Sequence, residues 1–373
     1  MFIQKQYTLF CLFALLLFLE LQIYNLLCII KIMNYIESRN IKCREGIARY
    51  LEKLPPYCYD FFIGIENDTS YLTRLNYAQD LNVFFDYLGK YVLKKQPTEV
   101  SLADINNLTA RDIEMFLSYL SYYEINGKQY KNGERGKSRK LATIRSFFKY
   151  NFKNDNLSIN VTEKVNTPKQ HSKAITRLEV DEVAKLINEA DCPEHMTKMQ
   201  QAFNRHTRSR DVALLSLFLG TGIRVSECVG INIKDVDFEQ NAFKVVRKGG
   251  NQVVLYFSDE VRYALLEWIK DRTILLNNEK EDALFVSLQK KRMSTRAVEN
   301  VVKKYSQIAS PLKKISPHKL RSTYGTSLYR ETGDIYVVAE VLGHKDVNTT
   351  KRHYAAMSED IKRSVANKVK LRD

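Results

Sequence analysis

Four short stretches in the second half of the chain place basic residues, and one tyrosine, where neither a core nor a plain surface calls for them. Arg224 follows a Leu-rich run and a Thr-Gly break in "GTGIRVSE". Lys248 stands beside a Gly-Gly pair in "VVRKGGNQVV". His318 and Arg321 are three residues apart in "SPHKLRSTYGTSL", a spacing that shares one helical face. His344 follows a Leu-Gly pair in "LGHKDVNTTKRHY", and Tyr354 closes that stretch as the only tyrosine after His344. Singly, each has an ordinary explanation: Arg224 can pair with Glu227, Lys248 can be a solvated turn lysine, and Tyr354 can be a core aromatic. Their joint occurrence in this order is what needs explaining.

Together they suit transfer of a phosphodiester. Its non-bridging oxygens gain charge during the reaction, and two guanidiniums match them with paired hydrogen bonds. A nucleophile must lose a proton and a leaving 5′ oxygen must gain one. Tyrosine ionises near pH 10 unless helped, and neighbouring cations favour its phenolate. Two Arg, two His, a mobile Lys and a Tyr therefore form a full set without metal or other cofactor. A two-metal nuclease needs clustered carboxylates, and the nearest candidates, Asp235, Asp237 and Glu239, fall in a turn.

The rest of the chain must position that set. Its 373 residues are 45% hydrophobic, enough for two globular domains. A net charge of +15 calls for a polyanionic partner, nucleic acid before an anionic membrane. The 22 Tyr and 18 Phe exclude a disordered basic tail. Six cysteines without CxxC spacing indicate neither zinc nor a disulfide framework and fit a reducing cytosol. Residues 8–30, "TLFCLFALLLFLELQIYNLLCII", are long enough to cross a bilayer despite Glu20. The preferred reading makes residues 1–32 a dispensable leader or an extended start before Met33, with a membrane anchor or signal segment as the rival. The basic character lies beyond this leader, which holds only Lys5, Lys31 and Glu20 as charged residues.

Apolar spacing predicts helices through 68–91, through "TARDIEMFLSYLSYYE" with Thr109 as N-cap, and through "KSRKLATIRSFFKYNF". Residues 155–175 read as a polar linker containing Pro168. Beyond it, "TRLEVDEVAKLINEA" opens a helix, and "RDVALLSLFLGTGIRVSECVGI" is a buried helix broken at Gly220 and Gly222. Residues 243–257 read as a β-hairpin of two Val-rich arms. The expected fold is mainly α with a small antiparallel β-sheet.

The motifs "LFLGTGIRVSECVGINIKDVD", "HKLRSTYGTSL" and "LGHKDVNTTKRHY" resemble, in order and approximate spacing, the tyrosine recombinases of the phage-integrase and Xer type, over about residues 68–366. The resemblance implies a helical core-binding, SAM-like domain at 68–154, preceded by a helical extension at 33–67. A catalytic domain at 176–373 would follow the linker, the two domains forming a C-shaped clamp on DNA. It implies that Tyr354 attacks the scissile phosphate, that Arg224 and Arg321 clamp its oxygens with His344, that His318 assists proton removal, and that Lys248 protonates the leaving oxygen. No ATP would be needed. Ser322 stands where the family commonly has a second His, the His344-to-Tyr354 gap is one residue longer than common, and the usual GKG reads "RKGG". Lys248 is the best alignment for the lysine, with Lys244 or Arg247 conceivable.

Expected DNA contacts are Arg139, Lys140, Thr143 and Arg145 in the first domain, and Arg296, Lys319, Lys345 and Lys351 in the second. The resemblance also implies a duplex recombination site as partner, a dimer on each site, a homotetramer in synapsis, and exchange of the tail after Tyr354 between subunits. The implied activity is site-specific recombination by a cytoplasmic, nucleoid-associated enzyme, serving chromosome-dimer resolution or mobile-element integration and excision. Its rivals are a type IB topoisomerase-like enzyme and a non-cleaving DNA-binding regulator.

Overall fold

The computed structural model describes residues 35–125, 127–169, 176–247, 251–343 and 347. The chain divides into two compact units, Met1–Ser172 and Lys173–Asp373. Both are mainly helical, with small antiparallel sheets, so the expected fold class holds.

In the first unit, helices α1 (Tyr35–Leu51), α2 (Cys58–Gly64), α3 (Tyr71–Tyr87), α4 (Leu102–Asn106), α5 (Ala110–Tyr119) and α6 (Glu134–Lys153) surround one aromatic core. Phe61, Phe84, Phe85, Phe116, Phe147 and Phe148 are all fully buried. Several meet edge to face, as Phe84 and Phe116 do with ring centroids 5.1 Å apart, which sets the positive ring edge against a neighbouring face. Thr109 caps α5 as the sequence suggests: its backbone N–H donates to Asp112 at 2.8 Å, and its hydroxyl accepts from the Asp112 N–H. The helix ends sooner than its apolar spacing implies. Tyr123–Ile125 (β1) instead pairs with Lys128–Tyr130 (β2), where Tyr123 stacks on Tyr130 and meets Tyr119 at a tilt.

Two expected boundaries shift. Ile47, Leu54, Cys58 and Phe61 are built into the same core as residues 68–154, so 33–67 is not a separate extension where it is described. Leu157, Val161 and Val165 also pack there, which removes the first part of the expected linker.

The second unit is organised by α9 (Arg208–Thr221), buried nearly all round: it sinks the apolar Ala213, Leu214, Leu215, Leu217 and Phe218 and, in its first turn, the paired Arg210 and Asp211. Around it lie α7 (Val180–Asp191), α11 (Asp259–Leu276) and α13 (Pro317–Thr332). The helices α8 (Lys198–Asn204), α10 (Val225–Cys228), α12 (Thr295–Ala309) and α14 (Ile335–Leu342) complete the unit. The expected hairpin is present as β4 (Ala242–Val246) and β5 (Gln252–Tyr256), in register from Ala242–Tyr256 to Val246–Gln252. A two-residue strand, β3 (Val236–Asp237), extends it. Among the described residues no helix is long and apolar enough to cross a membrane; residues 8–30 lie outside them.

Candidate active site

The site forms where α9 stops. Gly222 ends that helix with φ +62, a conformation that a side chain resists. A Cβ there would sit 2.5 Å from Tyr324 on α13 and 2.8 Å from Leu342 on α14, so glycine lets three helix segments meet at one point. Arg224 emerges two residues later, Arg321 comes from the first turns of α13, and α14 ends at Leu342.

At this meeting point three guanidiniums address three successive carbonyls. Arg247 donates to the Val341 carbonyl at 3.0 Å, Arg321 to that of Leu342, and Arg224 to that of Gly343 at 3.1 Å. These are carbonyls at the C-terminal end of α14, where the helix dipole is negative and cations are favoured. Arg321 is buried and also donates to the Gly222 carbonyl at 2.6 Å. Arg224 keeps 37% of its side chain exposed and holds Glu227 at 2.8 Å. The buried Glu227 carboxylate accepts the Arg224 backbone N–H as well, so one residue fixes both ends of Arg224. The ordinary explanation for Arg224, an ion pair one turn on, is thus realised, and it orients the guanidinium toward the α14 terminus.

His318 lies in the first turn of α13, exposed, one helical step from Arg321. Lys248, His344 and Tyr354 lie outside the described residues, as do Lys345 and Lys351. Two described tyrosines of this unit are held against ionisation. Burial raises the Tyr324 hydroxyl above its usual range. Burial, then the Asp211 carboxylate 2.8 Å away, does the same to Tyr305. A phenolate nucleophile is disfavoured at both positions.

The structure turns part of the expected DNA surface inward. Lys140 and Thr143 are buried, and both bind the buried Asp80 carboxylate, at 2.8 and 2.9 Å. They brace α6 against α3, with their polar atoms turned to that carboxylate. Arg139 forks onto the same carboxylate at 2.5 and 2.8 Å, with 49% of its side chain exposed. Arg145 is tied to the Val165 carbonyl and the Thr167 hydroxyl. Arg296, at the start of α12, is 81% exposed and only 3.5 Å from Glu299. Lys319 is half-buried on α13. Two residues the motifs did not assign join the picture. Asp80 sits on the apolar stripe of α3, between Tyr77 and Phe84, and an acid on a buried stripe demands a buried cation. Arg247, weighed only as an alternative to Lys248, reaches the α14 terminus.

The model of the phage integrase family matches residues 176–360. The chain is 31% identical over 302 residues to the tyrosine recombinase XerC of Syntrophus aciditrophicus, covering 80% of this chain and 91% of that one. The chain belongs to the tyrosine recombinases of the phage integrase family. Tyrosine recombinase XerS of Lactococcus lactis subsp. cremoris is 27% identical, with 86% of this chain and 99% of that one covered. Among solved structures, the XerH site-specific recombinase bound to palindromic difH substrate superposes with a TM-score of 0.60 at 21% identity, over 80% of each chain. A lambda integrase dimer bound to a COC′ core site gives 0.56 at 16% identity, over 80% of this chain and 93% of that one. The recombinase fold and the enzyme class implied by the motifs both hold.

Proposed function

We propose that this tyrosine recombinase is a site-specific DNA recombinase that cuts and rejoins duplex DNA through a 3′-phosphotyrosyl intermediate. The observation that carries the reading is the convergence of Arg224 and Arg321 on adjoining carbonyls, Gly343 and Leu342, from segments almost a hundred residues apart. Two forked donors held together by Gly222 and Glu227 suit the two non-bridging oxygens of one phosphate. Preorganised donors of this kind stabilise charge as it develops, each worth on the order of 10²–10³ in rate.

In the proposed step the Tyr354 phenolic oxygen, its proton taken with help from His318, bonds to phosphorus. The bond to the 5′ oxygen breaks, and Lys248 returns a proton to that oxygen. His344 adds a donor to the phosphate. Because one phosphoester replaces another, the reverse attack by a 5′-hydroxyl from the partner strand rejoins DNA without ATP or metal.

The partner is a duplex recombination site, bound by a dimer, with two such dimers forming the synaptic tetramer. Arg296, Lys319, Lys345 and the exposed part of Arg139 supply phosphate contacts, so affinity falls steeply with salt. Core-binding and catalytic domains take the two units, and the enzyme works in the cytoplasm on the nucleoid. Dimer resolution and element integration or excision share this chemistry and differ in target.

The test is denaturing capture of covalent adducts on sheared genomic DNA, with sequencing of the attached ends. Adducts at one recurrent site, absent from Tyr354→Phe, are expected. Adducts scattered over all sequences would favour a topoisomerase-like enzyme, and tight binding without adducts a non-cleaving regulator.

A further inference from the structure

Arg247 occupies a place that the reaction scheme above leaves unused. Its backbone N–H closes the hairpin on the Asn251 carbonyl at 2.8 Å, immediately before Lys248. Its side chain leaves the hairpin and donates to the Val341 carbonyl at 3.0 Å. The Nη1 end of the same guanidinium packs against Gly343, filling the space that a Cβ would take there, and Gly343 itself has φ +61. One side chain therefore joins the sequence neighbour of Lys248 to the sequence neighbour of His344.

Arg224 and Arg321 bond the adjoining carbonyls of the same turn. Arg247 is placed differently: its Nε is buried with no hydrogen-bond partner among the described residues. Burial, aided by the nearby positive charge of Arg224 and opposed by Glu227, works against its charged form. That energetic cost is hard to explain for an ordinary surface arginine.

We propose that Arg247 is a positioning residue: it holds the hairpin and the α14 terminus together, and so fixes the turn on which Arg224 and Arg321 converge. The inference rests on the recombinase reading and deepens it. A displacement of about 1 Å in such a constellation can cost on the order of 10²-fold.

The test uses the full chain, the duplex recovered by adduct capture, and the variants Arg247→Met and Arg247→Lys. Arg247→Met is expected to slow adduct formation at saturating duplex by about 10- to 100-fold. Its duplex Kd should stay within about threefold, and the salt slope of binding should not change, because no phosphate contact is lost. Arg247→Lys should recover part of the rate. In DNA-free protein, amide hydrogen exchange over 335–343 should quicken in Arg247→Met. Weaker binding with a shallower salt slope and an intact saturated rate would make Arg247 a phosphate contact and overturn the proposal. So would an unchanged rate, or unchanged exchange. A wild-type chain that forms no adduct would sink the recombinase reading instead, leaving the exchange measurement to judge the Arg247 contact by itself.

Discussion

Two clusters of cations rest on opposite kinds of partner. In the first unit Arg139, Lys140 and Thr143 converge on the carboxylate of Asp80, which is fully buried. In the second, Arg224 keeps one arm on the buried Glu227 carboxylate, and its other arm joins Arg247 and Arg321 on the carbonyls of residues 341–343. A buried carboxylate cannot release its cations without leaving charge stranded in a low dielectric. A backbone carbonyl holds a guanidinium by one neutral-acceptor hydrogen bond, which a phosphate oxygen can replace with a stronger, charge-assisted one. The same residue types thus build a brace in one place and, in the proposed reading, a phosphate-receptive site in the other, and the acceptor decides which.

Removing the acid in the first cluster should have the largest effect. Asp80→Ala is expected to cost about 3–5 kcal/mol of stability, since it strands Lys140 in the core. Urea unfolding checks this, and a loss below about 1 kcal/mol would break the comparison. The variant's adduct rate per folded molecule should stay near wild type.

In the second cluster the order reverses. Arg224→Lys and Arg321→Lys keep the charge and lose the planar fork. Each should slow adduct formation by roughly 10²-fold. Neither should lower stability as far as Asp80→Ala does. Single-turnover assays at saturating DNA, set beside thermal melts, would show whether rate and stability separate in this way.

Restoring charge balance should sharpen the first half. The double variant Asp80→Leu with Lys140→Met replaces the buried pair by apolar groups and should regain most of what Asp80→Ala loses, roughly 2 kcal/mol or more. A double variant no more stable than Asp80→Ala would point to packing rather than charge.

The smallest effect is a direct probe of receptivity. Inorganic phosphate at ten times its Kd should stabilise the wild-type chain by about 1.4 kcal/mol. The gain should shrink in Arg321→Lys and persist in Lys140→Met. Equal stabilisation of all three would remove the distinction between the clusters.

Much of the site was legible because short motifs carry it. "GTGIRVSE" holds the helix stop, Arg224 and Glu227 together, and "HKLR" holds His318 and Arg321 on one face. The buried α9, the Thr109 cap and the Val-rich hairpin arms follow from local patterns of 3.6 and 2 residues. The β1–β2 hairpin escaped because its aromatics continue the helical spacing of α5, and only pairing between strands reveals it. The inward turn of Lys140 and Thr143 is not legible in the sequence, because a basic helix stripe looks alike whether it faces solvent or a buried acid.

The sequence by itself determined the family, the helical class and the preference for a polyanionic partner, and it singled out the candidate arginine pair, since each is encoded in composition or in residues a few positions apart. Tertiary structure alone decided which cations are spent on Asp80, and that Arg247 meets Gly343 across almost a hundred residues. The reason is physical: the fate of a charge depends on the acceptor brought to it by packing, and residues distant in sequence bring that acceptor.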